Sequence, residues 1–165
     1  EEVEVIYTKR MANEELTKEE ILQFKTALLV FLGKAYHQRN MTMQLHYGVR
    51  RDLNKRIFNY FGPDAGIDSI NDTAPAGQLA EFLNALGDKL PKTILYSLNS
   101  NACKEIASIA GSFRNVKLGP AWWLNDNLIG NREQMEVIAE YSTLGTFLGM
   151  LTDSRSFSLE IQPLR

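Results

Sequence analysis

The sequence predicts an α/β fold of parallel strands joined by right-handed helical crossovers, read as one half of a (β/α)8 barrel. Three observations predict it. Helical and strand periodicities alternate along the chain, which is the pattern of crossover-linked parallel strands. The run Phe147, Leu148, Met150 and Leu151 is apolar throughout, as a strand buried on both faces must be. Each expected strand also stops at polar or aromatic residues. In this class of fold the carboxyl ends of the strands carry the chemistry.

The elements follow in order. Residues 1–16 are polar and charged, with Val3, Val5, Ile6 and Tyr7 as an apolar cluster, and read as a lead-in. Thr17 and Glu20 form the capping-box pattern T-x-x-E. Behind it Ile21, Phe24, Leu28, Phe31, Leu32 and Ala35 recur at helical spacing, giving a helix over 18–38. His37 falls in its last turn, where a cation suits the helix dipole. Thr42 to Gly48 reads as a strand in which Met43, Leu45 and Tyr47 alternate with Gln44 and His46. His46 is then either a metal or proton-transfer group at a strand end or a hydrogen-bonded core histidine. Arg50, Arg51 and Asp52 follow in a loop, Leu53 to Phe61 is a short helix or irregular turn, and residues 62–68 are turn-rich.

Pro75 to Leu86 is a helix closed by Gly87 and Asp88. Lys92 to Leu98 is the second strand, ending at Asn99, and Ala102 to Ala110 the helix behind it. Val116 to Trp122 is the third strand, limited by Pro120, with Trp122, Trp123, Asn125 and Asp126 beyond it. Arg132 to Leu144 is a helix, and Phe147 to Thr152 the fourth strand. Asp153 and Arg155 stand two residues apart just past that strand. Alternation points them to the same side, as a functional pair or as a surface salt bridge.

Composition narrows the classes of function. The chain has 165 residues, 44% hydrophobic and 23% charged, with a formal net charge of −2. That suits one globular domain and gives no general pull toward nucleic acid or anionic lipid. No apolar run approaches the roughly 18 residues of a membrane span. The acidic first residues do not read as a signal peptide. Cys103 is the sole cysteine, so no internal disulfide forms, as expected in a reducing compartment. A cytoplasmic protein with no nucleic-acid or membrane partner is expected. There is no phosphate-cradling glycine motif and no nucleophile elbow. One cysteine and two histidines exclude a Cys-His zinc spacing. Asp, His and Arg at separate strand ends point to a hard or borderline divalent ion with few protein ligands.

Four segments carry a resemblance. MQLHYGVRRDLNKRIFNYFGPDAGIDSI, LPKTILYSLN, GPAWWLND and FLGMLTDSRSF, in that order, resemble the C-terminal half of uronate isomerase, in the amidohydrolase superfamily. The resemblance runs from about Glu15 to Phe157. It implies a (β/α)8 barrel whose strands five to eight are those read here, a half-barrel over residues 17–157 and a non-family tail over 158–165. It implies that Asp153 is a metal ligand and that Arg155 lies against the substrate as a catalytic cation. His46 and Arg51 match an H-x-G-x-x-R that faces the sugar acid. Trp123, Asn125 and Asp126 match a pocket-lining segment.

The implied reaction interconverts aldose and ketose acids: D-glucuronate with D-fructuronate, and D-galacturonate with D-tagaturonate. It moves a proton between C1 and C2 through an enediol-like intermediate, with one divalent ion, zinc by expectation. The family's H-x-H metal pair, which follows strand one, has no counterpart in this sequence, and SLEIQPLR after Phe157 departs from the family's aromatic and basic continuation. Four parallel strands would leave two open edges. Self-association, or pairing with a missing N-terminal half, is therefore expected. The alternatives are a catalytically inactive fragment and a metal-dependent hydrolase of the same superfamily built on Asp153.

Overall fold

A computed structural model of the chain describes residues 2–71 and 76–149. The chain divides into two compact units: Glu1–Met43 with Gly77–Lys92, and Gln44–Ala76 with Thr93–Arg165.

The first unit is helical. Residues read as a lead-in form α1 (Glu2–Met11), with Glu2 and Glu4 in its first turn and Lys9 and Arg10 in its last, the charge order that a helix dipole favours. Only Ile6 of α1 is buried, so apolar periodicity gave no sign of the helix. It packs on α2 (Lys18–Gln38). The expected capping box is present: Glu20 N donates to Thr17 Oγ1 at 3.2 Å, and Thr17 N donates to Glu20 Oε2 at 2.8 Å. The other Glu20 oxygen accepts from Lys9 Nζ at 2.6 Å. That hydrogen bond, first among the causes, lowers the Glu20 pKa and raises that of Lys9.

Gly33 is the one fully buried residue of α2. It faces α4 (Ala76–Leu86) at Leu86, where an added Cβ would lie 2.7 Å from Cδ2. Leu83 and Leu86 supply the buried side of α4, and a 3-10 turn at Gly87–Lys89 ends it. Ile21, Leu22, Leu28, Leu29 and Phe31 of α2 stay exposed.

The second unit holds the sheet. Strands β1 (Met43–Tyr47), β4 (Thr93–Ser97) and β5 (Val116–Leu118) lie in the order β1-β4-β5. β4 and β5 are parallel, with Thr93 opposite Val116 and Leu95 opposite Leu118. At the ends of β1 and β4, Leu98 N donates to Tyr47 O at 3.0 Å. β4 is the central strand, and all but one of its residues are buried, as a strand flanked and covered must be. β1 alternates instead: Gln44 and His46 are exposed while Leu45 and Tyr47 are partly covered. α5 (Cys103–Ser112) packs on β4 and β5 through Ile106, Ala107 and Ala110, and α6 (Leu128–Tyr141) packs on α5.

Several expectations are corrected. β5 is shorter than the expected Val116 to Trp122: Gly119 N still donates to Leu95 O at 2.8 Å, and Pro120, without an N–H, ends the ladder. α6 begins four residues before the expected Arg132: Asn127 Oδ1 accepts from the N–H groups of Ile129 and Gly130 and so starts the helix. Leu128 and Ile129 are exposed, so the apolar pattern sets in late. The expected loop at Arg50 contains β2 (Val49–Arg50), paired antiparallel with β3 (Ser69–Ile70). α3 (Lys55–Phe61) lies between them, capped by Asn54. Phe147 to Gly149, the start of the expected fourth strand, carries no strand. The rest of that strand, with Asp153 and Arg155, lies outside the described residues. No helix among the described residues is long and apolar enough to cross a membrane.

Gly119 has a packing reason. A Cβ there would stand 2.3 Å from the Tyr96 ring, which is 1% exposed. Gly119→Ala is expected to destabilise the chain by about 1–3 kcal/mol through overpacking, measured by urea denaturation; an unchanged midpoint would show that the ring has room to move.

Two buried acidic protons set the alkaline limit. Burial, aided by Glu133, pushes the Cys103 thiol up from 9.0 to about 11. Burial, aided by Cys103 and Glu105, raises the Tyr47 phenol as well. Both groups fold protonated, so the unfolded chain releases their protons first and stability falls as pH rises. For Cys103 the loss starts near pH 9 and is complete above about 11. Denaturation midpoints from pH 7 to 11 should be flat and then decline. Cys103→Ala should decline less; an equal decline would remove Cys103 as a cause.

Candidate active site at the strand ends

The carboxyl ends of the three parallel strands bring their polar and aromatic residues together within the second unit. Ile94, Tyr96 and Leu98 alternate along β4 and its extension, so they share one face. Tyr96, Leu98 and Trp122 form a buried cluster, with Val49 and Ile94 packed against it. His46, one residue from the end of β1, lies on this cluster. Its ring centroid is 4.5 Å from that of Tyr96, edge-on, and 4.6 Å from that of Trp122. Of the two readings left open for His46, that of a core histidine does not hold, because the residue is exposed. The imidazole leans on aromatic rings and remains accessible to solvent.

The loop after β5 continues the aromatic surface. Trp123 sits 5.6 Å from Trp122, centroid to centroid. Its φ of +54° lies in the left-handed region, which is costly for a bulky residue. The backbone around it is held by Asn125, whose Nδ2 donates to Leu98 O at 2.8 Å. Asn125 thus ties the loop to the end of β4. A second tie comes from Gly130, where a Cβ would meet Asn125 O at 2.1 Å, so α6 starts in direct contact with the loop backbone. Asp126 accepts from Asn131 Nδ2 at 3.2 Å, a bond within the start of α6 and its approach.

Arg51 follows β2. Its guanidinium carbon lies 5.8 Å from the centre of the Trp123 ring, within cation–π range. Nη1 pairs with Asp68 Oδ2 at 2.8 Å and Nη2 pairs with Asp64 Oδ1. The other Asp68 oxygen accepts from Asp52 N at 2.9 Å. Asp52 itself has φ +53°, and its Oδ1 is buried without a hydrogen-bond partner. Asp64 and Asp68 were not foreseen as site residues. They lie in the turn-rich segment, 13 and 17 residues beyond Arg51, and carry no local pattern that would pair them with it.

Asn99, expected only as a strand end, is a junction. Its Oδ1 accepts from Asn101 N at 3.1 Å, and its Nδ2 donates to Asn71 O at 3.0 Å. Asn71 N in turn donates to Gly48 O at 2.8 Å. Gly48 has φ +80°, and a Cβ there would lie 2.8 Å from Ser97 Oγ. The end of β1, the residue after β3 and the end of β4 are therefore locked by one chain of hydrogen bonds.

The expected residues divide accordingly. His46 and Trp123 each lie against the Trp122 ring, and Arg51 lies over Trp123. The Asn125 side chain is bonded to the backbone at the end of β4, and that of Asp126 accepts from Asn131. Asp153 and Arg155 lie outside the described residues. Among the described residues, no three His, Cys, Asp or Glu side chains come together as a metal site. What the described part offers chemically is a guanidinium paired with two carboxylates and an imidazole, both lying against aromatic rings.

Comparison with known proteins gives the family. Residues 1–160 match the model of the glucuronate isomerase family. A uronate isomerase from Lachnospira eligens is 47% identical over 95% of this chain and 35% of its own length. One from Lachnoclostridium phytofermentans is 46% identical over the same shares. The chain thus spans about a third of the length of the curated relatives it matches. The crystal structure of uronate isomerase from Thermotoga maritima superposes with a TM-score of 0.87 at 35% identity, covering 93% of this chain and 34% of that one. The glucuronate isomerase of Caulobacter crescentus superposes with a TM-score of 0.83 at 28% identity. The parallel α/β architecture, the motifs at the strand ends and the match over nearly the whole sequence lead to one assignment: the chain belongs to the glucuronate isomerase family.

Proposed function

We propose that this chain is the substrate-facing C-terminal part of a uronate isomerase, interconverting D-glucuronate with D-fructuronate and D-galacturonate with D-tagaturonate. The observation that carries the reading is the run of contacts from His46 through Trp122 and Trp123 to Arg51 at the strand ends of a chain from this family. In this reading β1, β4 and β5 are strands five, six and seven of a (β/α)8 barrel.

Each residue has a part in binding or in charge stabilisation. Arg51 receives the carboxylate of the hexuronate, because a guanidinium forms paired, charge-assisted hydrogen bonds with a carboxylate. Trp123 underlies Arg51 and presents a flat face to the sugar. His46, held against Tyr96 and Trp122, hydrogen-bonds the sugar hydroxyls and bears on the reacting end. Arg155 faces the negative charge that develops on the enediol-like intermediate as the proton passes between C1 and C2. Asp126 and Asn125 shape the pocket wall. Asp153 is the residue of this chain to which the family resemblance gives a divalent ion, zinc by expectation. Such an ion, when bound, neutralises and orients substrate oxygens. The setting is the cytoplasm, as for other enzymes of small-molecule catabolism.

The span of about a third of the relatives' length favours a second reading, in which the chain is inactive until a partner half completes the barrel. One assay separates the two: hexuronate isomerisation by this chain alone and with a complementing N-terminal part of a family member. Turnover is expected with the complement. In the complemented enzyme, Arg155→Ala should lower turnover by roughly 10²–10³-fold, the scale on which one charge-stabilising group acts. The circular dichroism spectrum should stay unchanged. Turnover at the parent rate would remove Arg155 from the mechanism.

A further inference from the structure

The two carboxylates on Arg51 are not equivalent. Asp68 has a side chain only 5% exposed, whereas that of Asp64 is 69% exposed. Asp68 is also committed on its second oxygen, which accepts from Asp52 N. That bond ties the carboxylate to the residue next to Arg51, so Asp68 holds both the backbone and the guanidinium of this corner. Asp68 directly precedes β3, whose pairing with β2 fixes Val49 and Arg50 just before Arg51. The Asp68 carboxylate on Nη1 is therefore buried and braced. Among the described residues Asp64 has no such brace: it lies in the turn after α3 and pairs with Nη2. A buried, doubly bonded carboxylate is costly to displace, whereas an exposed ion pair is worth little and exchanges readily.

We propose that Asp68 is a positioning residue that fixes Arg51 over Trp123, and that Asp64 is the exchangeable partner whose place on Nη2 a hexuronate carboxylate takes. The proposal rests on the reading of Arg51 as the substrate's carboxylate receiver and adds to it two residues of opposite effect. Removing Asp68 frees the guanidinium and weakens binding. Removing the Asp64 charge leaves the guanidinium in place, takes away a competitor and strengthens binding. A purely structural role would move both in the same direction or neither.

The test uses the 165-residue chain labelled with 15N and follows the Arg51 Nε–H signal as D-glucuronate is added, with D-glucose as the uncharged control. In the parent chain the signal should be sharp and should move with D-glucuronate but not with D-glucose. Asp68→Asn should broaden the signal before any ligand is added and raise the Kd roughly tenfold, the value of one hydrogen bond to a charged group. Asp64→Asn should leave the free signal sharp and lower the Kd. The positioning role is overturned if Asp68→Asn leaves both the line width and the Kd unchanged. The exchange is overturned if Asp64→Asn raises the Kd, or if D-glucose moves the signal as D-glucuronate does. A parent signal that is sharp, broadens in Asp68→Asn, yet ignores D-glucuronate would uphold the fixing of Arg51 and overturn both the exchange and the carboxylate-receiver reading. Isomerisation that persists in the complemented enzyme would then show that the activity stands without Arg51 as receiver.

Discussion

The packing of the Tyr96 ring is the constraint on which the second unit depends. It is a large side chain with almost no exposure on the central strand. It fits because Gly119, across the ladder on the β5 side, offers no Cβ. The ring then serves as a floor. Trp122 closes the cluster from the loop after β5, and His46 rests edge-on from β1. Three strands thus converge on one aromatic body, and their carboxyl ends are brought into register around it. Burying rings of this size dominates the energetics of a small core. The same burial that stabilises the sheet also sets the wall on which the polar groups stand.

Polar groups at the rim are held by a second system, built of amides and carboxylates rather than of apolar area. Asn99 joins the end of β4 to Asn71, Asn71 joins Gly48, and Asn125 joins the loop after β5 to Leu98. Each of these bonds spans residues distant in sequence, so together they set the spacing of loops that would otherwise drift. Arg51 belongs to this system through Asp68 and to the aromatic one through Trp123. It is where the two meet.

Much of this was legible beforehand, and the reasons differ between elements. α2 could be read because the T-x-x-E box and a long apolar period coincide, and both survive in the fold. β1 and β4 could be read because alternation and burial agree with their places in the sheet. α1 could not: only one of its residues is buried, so its helix rests on charge placement and on contact with α2, which no period reports. β2 and β3 are two residues each, too short for any period to appear. At the candidate site, His46, Arg51 and Trp123 could be singled out because they fall at strand ends inside recognisable motifs. Asp64 and Asp68 were missed because their meaning lies in a pairing across a folded segment. The structural tie made by Asn125 was missed for the same reason, since a side-chain amide looks alike whether it faces a ligand or a carbonyl.

The sparse burial of α2 has a consequence for how the first unit fluctuates. Its 21 residues bury fully only at Gly33, so most of its backbone is protected by its own ladder and cap rather than by an overlying layer. Deuterium should therefore enter it as a gradient instead of a block, fraying inward from the end past His37, slowed near the cap at Thr17 and slowest around the contact with Leu86.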